Sequence, residues 1–150
     1  MRTILQRVLR AEVHVDGACV GRIGVGVLAL VGVERGDGPA DAVATAQKIA
    51  ALRMFPGRTP MDRTLEEVGG GVLVVSQFTL AGSLRKGRRP SFDDAADPGP
   101  AEALYERVAT ELESCSLPVA RGRFGAHMRV ELVNDGPVTF ILATRDGRVL

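Results

Sequence analysis

Apolar and polar positions alternate loosely over residues 3–9 and 12–15, and Asp16-Gly17 then gives a hairpin signal before 18–23. The chain is therefore expected to open with β structure. The run V-L-A-L-V-G-V at 27–33 is almost wholly apolar, the pattern of a strand covered on both faces. Gly36-Asp37-Gly38-Pro39 breaks the chain, and the spacing predicts a helix over 41–54. Its apolar stripe is Val43, Ala46, Ile49, Ala50 and Leu52 or Met54. Residues 55–71 are rich in proline, glycine and charge, a connection of the length expected of a functional or mobile loop.

A second buried strand is expected at 72–75, running straight into Ser76-Gln77-Phe78-Thr79-Leu80. The second helix is clearer, with Ala101, Leu104, Val108, Leu112 and Cys115 on one face. Pro98 and Pro100 mark its start and Pro118 stops it. Two strands at 128–133 and 138–144 close the chain, joined by Asn134-Asp135-Gly136-Pro137. Many strands and two helices in a chain of this length predict a single α+β domain over 1–150, with the helices packed on one face of a sheet.

Composition narrows the chemistry. The 150 residues are 45% hydrophobic and 25% charged, an ordinary globular profile large enough to bury a core without staples. The 19 basic and 18 acidic residues nearly cancel, so binding of nucleic acid through bulk charge is not expected, although a local patch would suffice. All but two of the basic residues are arginine, and aromatics make up only 4%. Cys19 and Cys115 have no C-x-x-C spacing and are expected to be small buried hydrophobes. The first residues are too polar for a signal peptide, and no apolar run approaches the ~20 residues that span a bilayer. A cytoplasmic protein with no membrane partner is expected.

Gly24-Val25-Gly26-Val27-Leu28-Ala29 matches a dinucleotide-binding spacing, but a strand pattern follows it instead of a helix. It is read as a strand-to-strand turn, and no cofactor is expected. His14 and His127 lack metal-ligand spacing, and no G-x-S-x-G elbow is present, so no metal site is expected either.

Ser76, Gln77 and Thr79 are more informative, because an apolar strand delivers three hydrogen-bonding side chains at its C-terminal end. Strict alternation would put Gln77 and Thr79 on one face and Ser76 and Phe78 on the other, so convergence needs a twist or bulge. Asn134-Asp135-Gly136-Pro137 reads as a hairpin turn in which Pro137 is out of place. Its alternative use is as a pair of bare backbone carbonyls that accept bonds from a ligand cation. Arg85, Lys86, Arg88 and Arg89 form a basic loop directly after the polar strand end, either solvated surface or a phosphate dock.

Ser76-Gln77-Phe78-Thr79-Leu80 and Asn134-Asp135-Gly136-Pro137-Val138-Thr139 together resemble the two signature motifs of the D-aminoacyl-tRNA deacylases. The likeness extends to Gln6-Arg7-Val8, Arg89-Pro90-Ser91-Phe92, Ala101-Glu102-Ala103-Leu104-Tyr105 and Gly122-Arg123-Phe124-Gly125-Ala126. It implies a homodimer with α/β/β layers and mixed, largely antiparallel sheets. It also implies hydrolysis of the ester between a D-amino acid and the 3′-terminal adenosine of tRNA. On this resemblance Gly136-Pro137 is a cis pair that enters the partner subunit's pocket, built around Ser76, Gln77, Phe78 and Thr79. Arg7 holds the Gly-Pro loop, and Phe124, Gly125 and Ala126 form a pocket wall. Backbone N–H groups near Phe78 and Thr79 polarise the ester, and Thr79 is a positioner in preference to a nucleophile. Met61-Asp62-Arg63 departs from the family's Met-Asn-Leu, and His127 stands where an acid is common. The alternatives are a tRNA-binding module without catalysis and the related deacylase that removes mischarged L-alanine.

Overall fold

The computed structural model describes residues 1–150. Strand β1 (Arg2–Val15) turns at Asp16-Gly17 into β2 (Ala18–Ile23), and β3 (Gly26–Gly32) follows. Helix α1 (Pro39–Ala51) leads through a long connection to β4 (Gly71–Ser76). Helix α2 (Pro98–Ser114), β5 (Val119–Arg121), β6 (Arg129–Arg145) and β7 (Arg148–Val149) complete the chain. The strands form one seven-stranded sheet in the order β5-β4-β3-β1-β6-β7, with β2 on β1. The β3-β4-β5 pairings are parallel and the others antiparallel.

Alternation along the central strands sorts side chains into two cores. Leu5, Val27, Ala29, Val31, Val72 and Val74 join Ala46, Ile49, Val108 and Leu112 of the helices in the larger one. Leu28, Leu73 and Val75 point the other way and meet Val8, Ala11, Val13 and Ile23. The second core exists because β1 shifts register on β6 between Gln6 and Arg10. Its far half, with β2 and the first half of β6, covers the back of β3 and β4. Helices, central strands and curled strands thus make three layers, and the V-L-V-V run is apolar because both its faces are covered.

Several expectations need correction. Helix α1 ends at Ala51 instead of Met54, and Leu52 is already extended. Pro56 disfavours helical backbone at Phe55, and Met54 and Phe55 run on as buried extended residues. Residues 134–137 are no hairpin turn, because β6 is one 17-residue strand that passes through them. The polar segment after Val75 leaves the strand at Ser76 and closes into a 3₁₀ turn over Phe78–Ala81. Both cysteines are exposed, Cys19 on the outer face of β2 and Cys115 at the end of α2. Strands β5 and β7 carry too few apolar residues to be read from the sequence. The β6–β7 turn is Asp146-Gly147, with φ of 54° and 73°.

Candidate active site

The C-terminal end of β4 opens onto a cleft of about 490 Å³. Ser76, Gln77 and Phe78 form one side, and Phe124, Gly125 and Ala126 another. The 3₁₀ turn breaks strand alternation, so that Ser76, Gln77 and Phe78 all line the cleft, whereas Thr79 does not. The backbone coils after Ser76, so Gln77 and Thr79 meet through a bond from the Gln77 side-chain amide to the Thr79 hydroxyl. A 3₁₀ turn leaves its first N–H groups without partners inside the turn, and here these belong to Phe78 and Thr79. Phe78 is 60% exposed, an unusual state for a phenylalanine beside a core. Its ring packs on Phe92 with centroids 5.1 Å apart.

Tyr105, which the sequence singles out only within the family-like stretch 101–105, lies under the cleft. Its hydroxyl donates to the Val74 carbonyl at 2.9 Å, and its ring tilts against Phe124 at 6.0 Å. Burial pushes its pKa up to about 12, so it stays neutral and serves as a fixed donor.

The Asn134–Pro137 segment is a bulge extruded from a continuous ladder. Gln6 pairs with Thr139 and Val8 with Asn134, so Arg7 alone faces the four residues between them. Arg7 holds this bulge at its base. Its Nε donates to the Asp135 carbonyl at 3.0 Å and lies 2.9 Å from the Asp135 carboxylate. Its Nη1 donates to the Met54 carbonyl at 2.7 Å, an acceptor freed by the early end of α1. Asn134 closes the bulge from within, donating from Nδ2 to the carbonyls of Arg7 (2.9 Å) and Val138 (3.1 Å). A Cβ on Gly136 would lie 2.3 Å from Asn134 Oδ1 and 2.7 Å from the Val138 nitrogen, so only glycine fits. The Gly136-Pro137 bond is cis, and both residues are exposed.

The bulge and the cleft are apart within one chain. Arg7 is level with Val27 and Val72, whereas the cleft begins at Val31 and Ser76. Four strand steps separate them, about 13 Å. Gly136 and Pro137 do not line the cleft.

Arg85, Lys86, Arg88 and Arg89 occupy the tip of a loop closed by paired backbone bonds between Ser83 and Ser91, 2.7 and 3.0 Å long. All four are exposed, and they enter none of the ion pairs of the structure. Phe92 follows the loop directly, so the Phe78–Phe92 contact ties its base to the cleft. Asp62 and Arg63 brace their own connection, where Asp62 accepts from the Arg58 N–H at 2.7 Å and Arg63 donates to the Pro56 carbonyl at 2.8 Å, and Met61 is exposed. His127 borders the cleft. No helix is long and apolar enough to cross a membrane.

Comparison with known proteins agrees with this geometry. A solved structure described as c-Myc DNA Unwinding Element Binding Protein superposes with a TM-score of 0.89 at 33% identity, covering 97% of this chain and 99% of that one. Another, of a probable eukaryotic D-amino acid tRNA deacylase, shares the fold with a TM-score of 0.77 at 21% identity, over 93% and 97%. The D-aminoacyl-tRNA deacylase of Heliobacterium modesticaldum is 55% identical over 148 residues, 98% of this chain and 99% of the relative. That of Anaeromyxobacter dehalogenans is 56% identical over 146 residues, 97% and 98% respectively. The sequence model for D-Tyr-tRNA(Tyr) deacylase matches residues 4–143, a span that contains both the cleft and the Gly136-Pro137 bulge. With relatives this similar over nearly its whole length, the chain belongs to the D-Tyr-tRNA(Tyr) deacylase family.

Proposed function

We propose that the chain hydrolyses the ester between a D-amino acid and the 3′-terminal adenosine of tRNA, and so removes D-residues before translation uses them. The observation that carries this reading is the bulge at Gly136-Pro137, exposed yet braced by Arg7 and Asn134. It presents backbone and no catalytic side chain, so its use is recognition.

The carbonyls of Gly136 and Pro137 capture the substrate ammonium. With ammonium and ester carbonyl both fixed, a D-residue turns its side chain outward, and an L-residue drives its Cβ into backbone. A steric refusal of this kind discriminates beyond the ~1–3 kcal/mol that a pocket gains from weighing one methylene. The N–H groups of Phe78 and Thr79 face the developing oxyanion. The Thr79 hydroxyl has the Gln77 amide as its partner, and an amide takes no proton, so Thr79 positions and does not attack. The 2′-OH of the terminal ribose assists water.

The site is completed by a second copy of the chain. The bulge and the cleft of one copy stand about four strand steps apart, which leaves each free for the other motif of a partner. Leu9 and Ile141 are 52% and 77% exposed on neighbouring strands β1 and β6, apolar surface that pairing would cover. Arg85, Lys86, Arg88 and Arg89 grip acceptor-stem phosphates. Charged tRNA as substrate places the enzyme in the cytoplasm.

Incubation with D-tyrosyl-tRNA tests the reading. Release of D-tyrosine by the purified chain is expected, and binding without release would make it an RNA-binding module. Mixed dimers test the assembly. A subunit defective in the bulge and one defective in the cleft should together regain one working site. No recovery on mixing would contradict a shared site.

A further inference from the structure

The β1–β2 hairpin carries a group of ligating side chains that deacylation does not use. Glu12 and His14 lie two apart on one face of β1, so their side chains emerge together, with His14 Nε2 3.2 Å from Glu12 Oε2. Regular pairing would set Val20 opposite His14, because Glu12 pairs with Arg22 and Val13 with Gly21. The register instead slips after Val13, and Cys19 becomes the partner of His14. The extra residue, Val20, packs against the second core, and Cys19 stays on the outer face. The bulge thus aims a thiol at an imidazole and a carboxylate, and the three ligand atoms lie within 4.8 Å of one another.

We propose that Glu12, His14 and Cys19 bind a thiophilic divalent cation, with Zn²⁺ as the ion of choice. Mixed nitrogen, oxygen and sulfur donors suit zinc, whose bonds of about 2.0–2.3 Å need ligand atoms a little closer than they now stand. Side-chain rotation on a fixed hairpin supplies that movement. The thiol gives up its proton to solvent on binding, and His14 binds as the neutral ring through Nε2. One carboxylate and one thiolate cancel the charge of the ion, so Arg22, 3.1 Å from Glu12 Oε1, faces a neutral site. Arg22 also reaches Glu12 Oε2 from Nη2 at 3.2 Å and competes for that oxygen. The fourth position belongs to water, on the side where His14, Asp16, His127, Arg129 and Glu131 line an all-polar depression.

Zinc affinity, measured by competition with a chromophoric chelator, tests the site in a Cys115→Ser background that removes the other exposed thiol. Co²⁺ titration alongside reports thiolate ligation by its charge-transfer band. One ion per chain and a cobalt–thiolate band are expected. Cys19→Ser should abolish the band, and Glu12→Gln or His14→Ala should each weaken zinc by about tenfold or more. Arg22→Ala should tighten binding. Thermal melts of the metal-free variants should match the parent. Absence of the band in the parent, or affinity unchanged by both Cys19→Ser and His14→Ala, would overturn the proposal. Deacylase turnover is no part of the readout, so the outcome stands apart from the proposed activity.

Discussion

Arg7 and Asp135 are joined twice, by a bond from the guanidinium to the Asp135 carbonyl at 3.0 Å and by an ion pair to its carboxylate at 2.9 Å. The Arg7 side chain is only 11% exposed, so these bonds act under partial exclusion of water. They fix where the next two residues, Gly136 and Pro137, present their carbonyls. Arg7→Ala should therefore lower kcat/KM for D-aminoacyl-tRNA by about 10–100-fold, the effect of losing one bond to a charged group at about 1.5–3 kcal/mol. Arg7→Lys should recover little, because an ammonium cannot span Met54 and Asp135 as a planar fork does. Steady-state kinetics with circular dichroism as a folding control would check both.

Gly136→Ala tests the bulge from inside. The added methyl would meet Asn134 Oδ1 and the Val138 nitrogen, and the second is backbone that cannot swing away. The bulge must shift by an appreciable fraction of an ångström, and a misplacement of about 1 Å costs on the order of 10²-fold in rate. A loss of more than about tenfold in turnover with a native spectrum is expected. Asn134→Ala should act in the same direction, since it releases the carbonyls of Arg7 and Val138.

The role of Thr79 separates two chemistries. As a positioner, its replacement by alanine should leave a measurable fraction of turnover, because the backbone N–H groups of Phe78 and Thr79 survive the change. No acyl-enzyme should accumulate in a rapid-quench experiment. Near-total loss with tRNA binding intact would instead assign Thr79 as a covalent nucleophile.

Acid should loosen the junction between α1 and the β6–β7 hairpin. Burial disfavours the Asp41 carboxylate, but bonds from the Gly147 and Gly38 N–H groups, both 2.9 Å, and the nearby N-terminal ammonium and Arg145 hold its pKa below the usual 3.8. Since the folded value lies below the unfolded one, its stabilisation is fully present above pH ~4 and is lost as pH falls through the folded value. Asp41→Asn should cost about 1.5–3 kcal/mol at neutral pH and flatten the acid limb of a melting-temperature profile. An unchanged acid limb would contradict the assignment.

How much of this is legible in the sequence depends on the range of the interactions that decide it. The V-L-V-V strand and helix α2 declare themselves through local periodicity, because each buries its apolar side chains wherever the rest of the chain lies. The Asn134–Pro137 segment does not. Asp135-Gly136 has turn chemistry, and only the pairing of Gln6 with Thr139 and Val8 with Asn134 makes it a bulge instead of a hairpin. That pairing joins residues more than a hundred positions apart. The cleft needs a break in strand alternation, which the sequence poses as a twist or bulge and the structure supplies as a 3₁₀ turn. Cys19 is illegible for a related reason, since a one-residue slip decides whether it or Val20 faces inward. The paired signature motifs mark the family independently of these features, because motif order along the chain does not depend on how strands pair.

Initial rates of deacylation for D-alanyl-, L-alanyl- and glycyl-tRNA, measured with one preparation under one condition, probe chiral selection with the smallest difference between substrates. D-alanyl-tRNA should be cleaved, glycyl-tRNA should be cleaved to some extent because it has no Cβ to clash, and L-alanyl-tRNA should persist at the spontaneous rate. Cleavage of L-alanyl-tRNA as readily as the D form would contradict sorting by the carbonyls of Gly136 and Pro137.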